Sequence, residues 1–245
     1  MTGLRLRLFV IAAVVAIAIF VRLGIWQLHR RDQRRNYNAL VVARLKSPEV
    51  DFRDLPRDSS QAHLRRVRVT GTPDYDHELL WAARTLNGSP GVNFLTPVRV
   101  PGSDTAVLVN RGWVYSPDGS TVDENKWRER DTTFSGYAEP IPAIGGVPYS
   151  TRPRTMARFG YDAIRKALPY PVSPISIVMT GDSTSAADRV ARLTTPPLDE
   201  GPHLNYAIQW FGFALVTLIG VGYIIKQSAT TTSARDSTAG AHGSD

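Results

Sequence analysis

LFVIAAVVAIAIFV, residues 8–21, runs without a charge, and LGIWQL, residues 23–28, extends it past Arg22. Together they reach the roughly 20 residues that a helix needs to cross hydrocarbon. Residues 8–28 therefore read as a transmembrane helix, with 1–7 as a cytoplasmic N-terminus. The rival is a cleaved signal peptide, because Arg5 and Arg7 place positive charge ahead of the apolar run. The run is long for that role, and Ala16-Ile17-Ala18 is followed by more apolar residues rather than by a polar mature chain.

A second uncharged stretch, LNYAIQWFGFALVTLIGVGYII, occupies 204–225, so 202–226 reads as a second span. Trp26 closes the first span while Tyr206 and Trp210 open the second, which puts amphipathic aromatics at one shared interface. The spans are then antiparallel, and both termini lie on the far side. Arg5, Arg7 and Lys226 favour a cytoplasmic location for them, whereas Arg30, Arg31, Arg34 and Arg35 crowd the opposite end of the first helix. A segment as long as 29–201 translocates largely regardless of charge, so it is expected outside the cell membrane. Within the first span Ala12 and Ala16 offer a small-residue pair for close helix approach, and Arg22 is expected to snorkel to the interface.

Between the spans the pattern changes. Leu40, Val41 and Leu45 stand among charged residues, so the first helix runs on or restarts before Pro48. Short runs rich in branched and aromatic residues follow at 67–70, 79–83, 92–100, 106–109, 132–137 and 175–180, and these read as strands. Asn87-Gly88, Pro101-Gly102, Asp118-Gly119 and Gly145-Gly146 supply turns at spacings that favour antiparallel hairpins. Residues 161–168, YDAIRKAL, have helical spacing and stop at Pro169. The fold class is α+β: two antiparallel transmembrane helices flanking one mostly antiparallel β domain with short helices. Residues 227–245 have no apolar face and read as a disordered cytoplasmic tail.

Composition removes several functions. The chain has no cysteine, which excludes disulfides, thiolate metal sites, covalent haem attachment through cysteine and cysteine-dependent copper carriage. Lysine and arginine number 29 against 22 acidic residues, a formal charge of +7 that suits nucleic acid, anionic lipid or an acidic protein face equally. Arg65, Arg66 and Arg68 alternate with valines as on a charged sheet edge, and the aromatic interleaving of an RNA-binding sheet is lacking, so nucleic acid is not an expected partner. No phosphate loop, nucleophile elbow or helical pair of histidines marks an enzyme.

His29, His63 and His77 lie in polar settings that ask for no role. His203 differs. Gly201-Pro202 starts the helix immediately before it, so its imidazole sits at the positive end of a helix dipole, which favours the neutral, iron-coordinating form. Asp199 and Glu200 pull the other way. His203, Ala207, Trp210 and Ala214 share one stripe along which a flat macrocycle could lie, while from spacing alone a plain helix-capping or interfacial role is the simpler account of the histidine.

Four segments taken in order resemble the SURF1 family. Leu23-Gly24-Ile25-Trp26-Gln27-Leu28-His29-Arg30 is similar to its L-G-x-W-Q-L-x-R signature, and Gly91-Val92-Asn93-Phe94-Leu95-Thr96-Pro97 to its glycine-to-T-P strand. Val109-Asn110-Arg111-Gly112-Trp113-Val114 and Gly201-Pro202-His203 through Phe211 resemble its V-N-R-G-W-V and P-H-x-x-Y-A-x-Q-W-F segments. The resemblance implies a membrane-bound, non-enzymatic assembly factor for cytochrome c oxidase of the aa3 type. It also implies that His203 ligates haem a for transfer to oxidase subunit I, with Tyr206 and Trp210 as candidate haem contacts. The alternative is an accessory or docking subunit of the oxidase or of a bc-aa3 supercomplex, in which Trp26, Arg111, Trp113 and Trp210 serve only the protein's own structure. The polar tail and the arginines after Arg30 lie outside the family pattern.

Overall fold

In the computed structural model the described residues are 3–143, 147, 148, 152, 154–181 and 189–240. Two compact units divide the chain, residues 1–39 with 198–245, and residues 40–197.

The first unit is a helix pair. Helix α1 spans Gly3–Lys46 without interruption, so the expected juxtamembrane segment is one helix with the span. Both α1 and the final helix are long and apolar enough to cross a membrane, and only 11% of each apolar window is buried in the protein. The core helix of a water-soluble domain would be covered. On α1 the less exposed positions include Leu6, Val10, Ala13, Ile17, Phe20, Gly24, Gln27, Arg31, Arg34 and Asn38, and on the final helix Ala207, Trp210, Ala214, Thr217, Val221 and Ile224. Both sets repeat every three or four residues, the spacing of a left-handed helix pair. Ala12 is exposed, so the expected Ala12/Ala16 contact gives way to Ala13 and, nearer the interface, Gly24. A Cβ on Gly24 would lie 2.7 Å from the Phe211 ring.

The second unit is built on a ten-stranded mixed sheet among the described residues. In chain order its strands are β1 (Val50–Asp51), β2 (Arg66–Thr70), β3 (Thr72–Pro73), β4 (Leu79–Leu86) and β5 (Ser89–Arg99), then β6 (Val107–Tyr115), β7 (Thr133–Pro140), β8 (Val147–Pro148), β9 (Thr155–Arg158) and β10 (Ile175–Met179). The spatial order is β1-β2-β7-β10-β6-β5-β4-β9-β8, with β3 beside β5. The hairpins β4–β5 and β5–β6 and the pairs β2–β7 and β7–β10 are antiparallel as expected, whereas β1–β2, β6–β10 and β4–β9 are parallel. Asn87 and Gly88 have φ of 52° and 80°, the left-handed pair that closes a two-residue hairpin. The Gly145-Gly146 turn lies outside the described residues.

Short helices α2 (Ser59–Ala62) and α3 (Tyr161–Ala167) cover parts of the sheet. The strands β5, β6 and β10 are buried on both faces. Val67, Val69, Val107, Val109, Phe134 and Ile177 pack in one core, while Leu79, Leu95, Leu108, Met156 and Ile164 form another beneath α3. Arg66 and Arg68 are exposed on a face of β2. They do not guard a free edge, because β1 pairs with that strand.

The final helix, α4, spans His203–Gly240. It continues well past Lys226, where the sequence suggests a tail. Near the start of the extension the Thr230 hydroxyl donates to the carbonyls of Lys226 (3.3 Å) and Gln227 (2.9 Å). Propagating an existing helix costs far less than nucleating one. Residues 241–245 of the expected tail lie outside the described residues.

Candidate functional site

At the start of α4 the backbone is arranged around His203. Gly201 has a φ of 70°, a conformation that L side chains rarely adopt, and its N–H donates to Asp199 Oδ1 at 2.7 Å. A Cβ at this position would lie 3.4 Å from Nε2 and Cδ2 of the His203 ring. Glycine therefore serves the turn and keeps one edge of the imidazole uncrowded. Pro202 then occupies the helix start, where its missing N–H costs nothing.

The other ring nitrogen is fixed from α1. His203 Nδ1 lies 2.9 Å from Gln27 Oε1. With the amide oxygen as acceptor, Nδ1 is the donor, and the neutral tautomer carries its lone pair on Nε2. An outer partner of this kind sets the tautomer and ring orientation of metal-binding histidines. Among the described residues no group of three or more His, Asp or Glu side chains converges to hold a metal ion, and what this site offers is one imidazole nitrogen, His203 Nε2.

Below this point, towards the membrane, the stripe differs from its sequence reading. Ala207 and Ala214 are buried, and Trp210 stacks on Phe20 with ring centroids 5.8 Å apart and 24° between planes. Phe20 of α1 therefore packs against the Trp210 side of this stripe. Tyr206, 46% exposed, remains on the open side near His203.

Above it, the arginines after Arg30 have partners that sequence reading missed. Arg31 Nε and Arg35 Nε donate to Glu200 at 3.4 and 3.0 Å, and Arg34 Nε donates to the Asp199 carbonyl at 2.8 Å. These contacts brace the loop that carries Gly201. The hydrogen bond and charge of Arg35, with those of Arg31, hold the Glu200 carboxyl below its ordinary range. The basic pair and the Asp-Glu doublet lie 165 or more positions apart, so no local signal linked them.

In the second unit the V-N-R-G-W segment has a different character. Between Phe94 and Leu95 the β5–β6 register shifts by one, so Arg111 is the extra residue of a β-bulge. The bulge re-aims its side chain into the interior. Arg111 is fully buried and donates through Nη2 to Glu78 Oε1, through Nε to Thr96 Oγ1 and through Nη1 to the Trp127 carbonyl, each at 2.7 Å. Glu129 lies 3.4 Å away and is itself bound by Arg192 at 2.9 Å. Burial pushes the Glu78 carboxyl up, against the opposing pull of Arg111. For Arg111, burial opposes the charge but Glu78 and Glu129 prevail, and its hold on the proton strengthens.

Gly112, with φ of 137°, lets the segment around Ala191 approach: Trp113 N–H donates to the Ala191 carbonyl at 2.8 Å, and a Cβ on Gly112 would clash with that oxygen. A Cβ on Gly91 would collide with the Trp113 indole. These residues are consumed by the fold. His63 and His77 have carboxylate partners, Glu139 at 3.2 Å and Asp74 at 2.8 Å.

The molecule is thus a two-span protein with an α+β domain between its helices, and its sequence signatures meet in pairs: Gly24 with Phe211, Gln27 with His203, Gly91 with Trp113. The sequence profile of the SURF1 family matches residues 14–215, and the chain belongs to that family. An uncharacterised SURF1-like protein of Mycobacterium tuberculosis is 28% identical over 83% of this chain and 77% of its own length. A SURF1-like protein of Rickettsia felis is 24% identical over 85% of this chain and 93% of its own. Surfeit locus protein 1 of Gallus gallus is 24% identical over 80% and 68%.

Proposed function

We propose that this protein is a membrane assembly factor for cytochrome c oxidase that holds haem a through His203 and aids its insertion into subunit I. SURF1 family membership supports the general role in oxidase assembly and a non-catalytic part in it. The observation carrying the finer reading is the His203 Nδ1 to Gln27 Oε1 contact of 2.9 Å, which joins two family signatures and sets the lone pair on Nε2. The residues fit an axial imidazole ligand with Tyr206 beside it, while Trp210 supports the site through Phe20. Haem a is then cargo, held at the outer membrane interface with the central domain extracytoplasmic.

The fixed network around Arg111 and the packing of Trp210 favour a second reading, an accessory subunit of the oxidase or of a bc-aa3 supercomplex that binds no cofactor. Reduced-minus-oxidised spectra of membranes from a strain lacking the gene separate the two. Loss of the haem a band with other cytochromes intact is the expected result. An intact band with an altered complex on native gels would favour the accessory subunit.

A further inference from the structure

The face of α1 turned away from α4 carries its own constellation. Ala18, Val21, Arg22, Ile25, Trp26 and His29 line one open groove of about 790 Å³. Gly24 and Gln27, which meet α4, lie on the other side of the helix. Arg22 is exposed and interrupts the apolar stretch, yet it has no hydrogen-bond or ion-pair partner among the described residues. Such a charge at membrane depth is costly and calls for a counter-ion.

The order of the lining along the helix indicates the occupant. Ala18 and Val21 are deepest. Arg22 and Ile25 follow, Trp26 stands about 6 Å above Arg22 at 1.5 Å per residue, and His29 about 4.5 Å higher still. An apolar slot capped by a guanidinium, an indole N–H and an imidazole matches a phospholipid, its acyl chain below and its phosphate among three donors. A soluble phosphate would leave the apolar part unused, and a partner helix would not need polar donors confined to one end. Arg30, exposed beside His29, adds positive charge.

We propose that this face of α1 is a binding site for one anionic phospholipid, with Arg22 as the principal phosphate ligand. The site stands apart from His203 and does not depend on the haem reading. The test uses the full chain reconstituted in phosphatidylcholine vesicles, with trace spin-labelled phosphatidylglycerol or phosphatidylcholine, and measures the motionally restricted fraction of each by electron paramagnetic resonance. The expected preference for phosphatidylglycerol is about fivefold, the weight of one basic side chain near an anionic leaflet. It should fall to near unity in Arg22→Leu, which makes the span more apolar and so keeps it inserted, and should largely survive in Arg22→Lys. Trp26→Phe should reduce it partly, and inorganic phosphate should not compete. No preference in the wild type, an equal preference in Arg22→Leu, or displacement by inorganic phosphate would each overturn the proposal. Unchanged lipid preference in Arg22→Leu together with lost co-purification of the oxidase would assign the face to a protein carboxylate instead.

Discussion

Arg111 and His203 are both polar residues in family signatures, yet the protein treats them oppositely. Arg111 is sealed in the β domain, every direction of its guanidinium taken by Glu78, Thr96, Glu129 or the Trp127 carbonyl. His203 is held by one nitrogen only, and Gly201 keeps the edge with the other uncrowded. A shared signature therefore does not mean a shared role. Where a side chain's bonding capacity is used up, it serves the fold. Where one donor is fixed and one lone pair is left over, it can take a ligand.

The comparison breaks most easily at Arg111. Arg111→Met strands Glu78 as a buried carboxylate without its cation, while Glu129 keeps Arg192, and should cost roughly 3–5 kcal/mol in denaturant unfolding of the purified chain. Adding Glu78→Leu should recover much of that loss, since an apolar pair of similar volume replaces a buried ion pair at little cost. Failure of the double variant to recover would give Arg111 a role beyond the fold.

A smaller effect is expected at Gly24. Gly24→Leu forces the Phe211 ring away and should destabilise the helix pair by about 1–3 kcal/mol, the usual cost of overpacking. Thermal unfolding in detergent would show it, and Phe211→Ala in the same chain should restore part of the loss. The two substitutions acting independently would remove Gly24 from the contact.

Smallest is the ion pair that braces the loop before His203. Its hydrogen bonds and charges lower the folded-state pKa of Glu200 from an ordinary 4.5. The stabilisation is therefore complete above that ordinary value and is lost as pH falls through the lowered one. Glu200→Gln should flatten this acidic limb in a melting-temperature series, with little change at neutral pH because the pair is exposed. An unchanged limb would show that Glu200 does not brace the loop.

Much of the fold was legible in the sequence because its signals are local. Charge-free runs gave both spans, Asn87-Gly88 gave a hairpin, and YDAIRKAL gave α3. The rest depends on distant partners. Strand β6 was expected to end at Val109, since Asn110, Arg111 and Gly112 are poor strand formers; Glu78 and the segment around Ala191 make them tolerable there. The parallel pairing of β10 with β6 is made across β7, β8, β9 and α3, which intervene in the chain, and so leaves no local trace. At the candidate site the histidine and its helix start could be read directly. Gln27 and the arginines clasping Glu200 could not, because their partners are more than 160 positions away.

The most direct test of the central claim is the haem a content of the full-length protein purified from cells that synthesise haem a, compared between wild type and His203→Ala. The account predicts a haem a spectrum in the wild type that is lost in His203→Ala while the protein stays in the membrane and the Arg111 network still protects the domain. Equal haem a in both would contradict it and leave His203 as a residue that merely ends a helix.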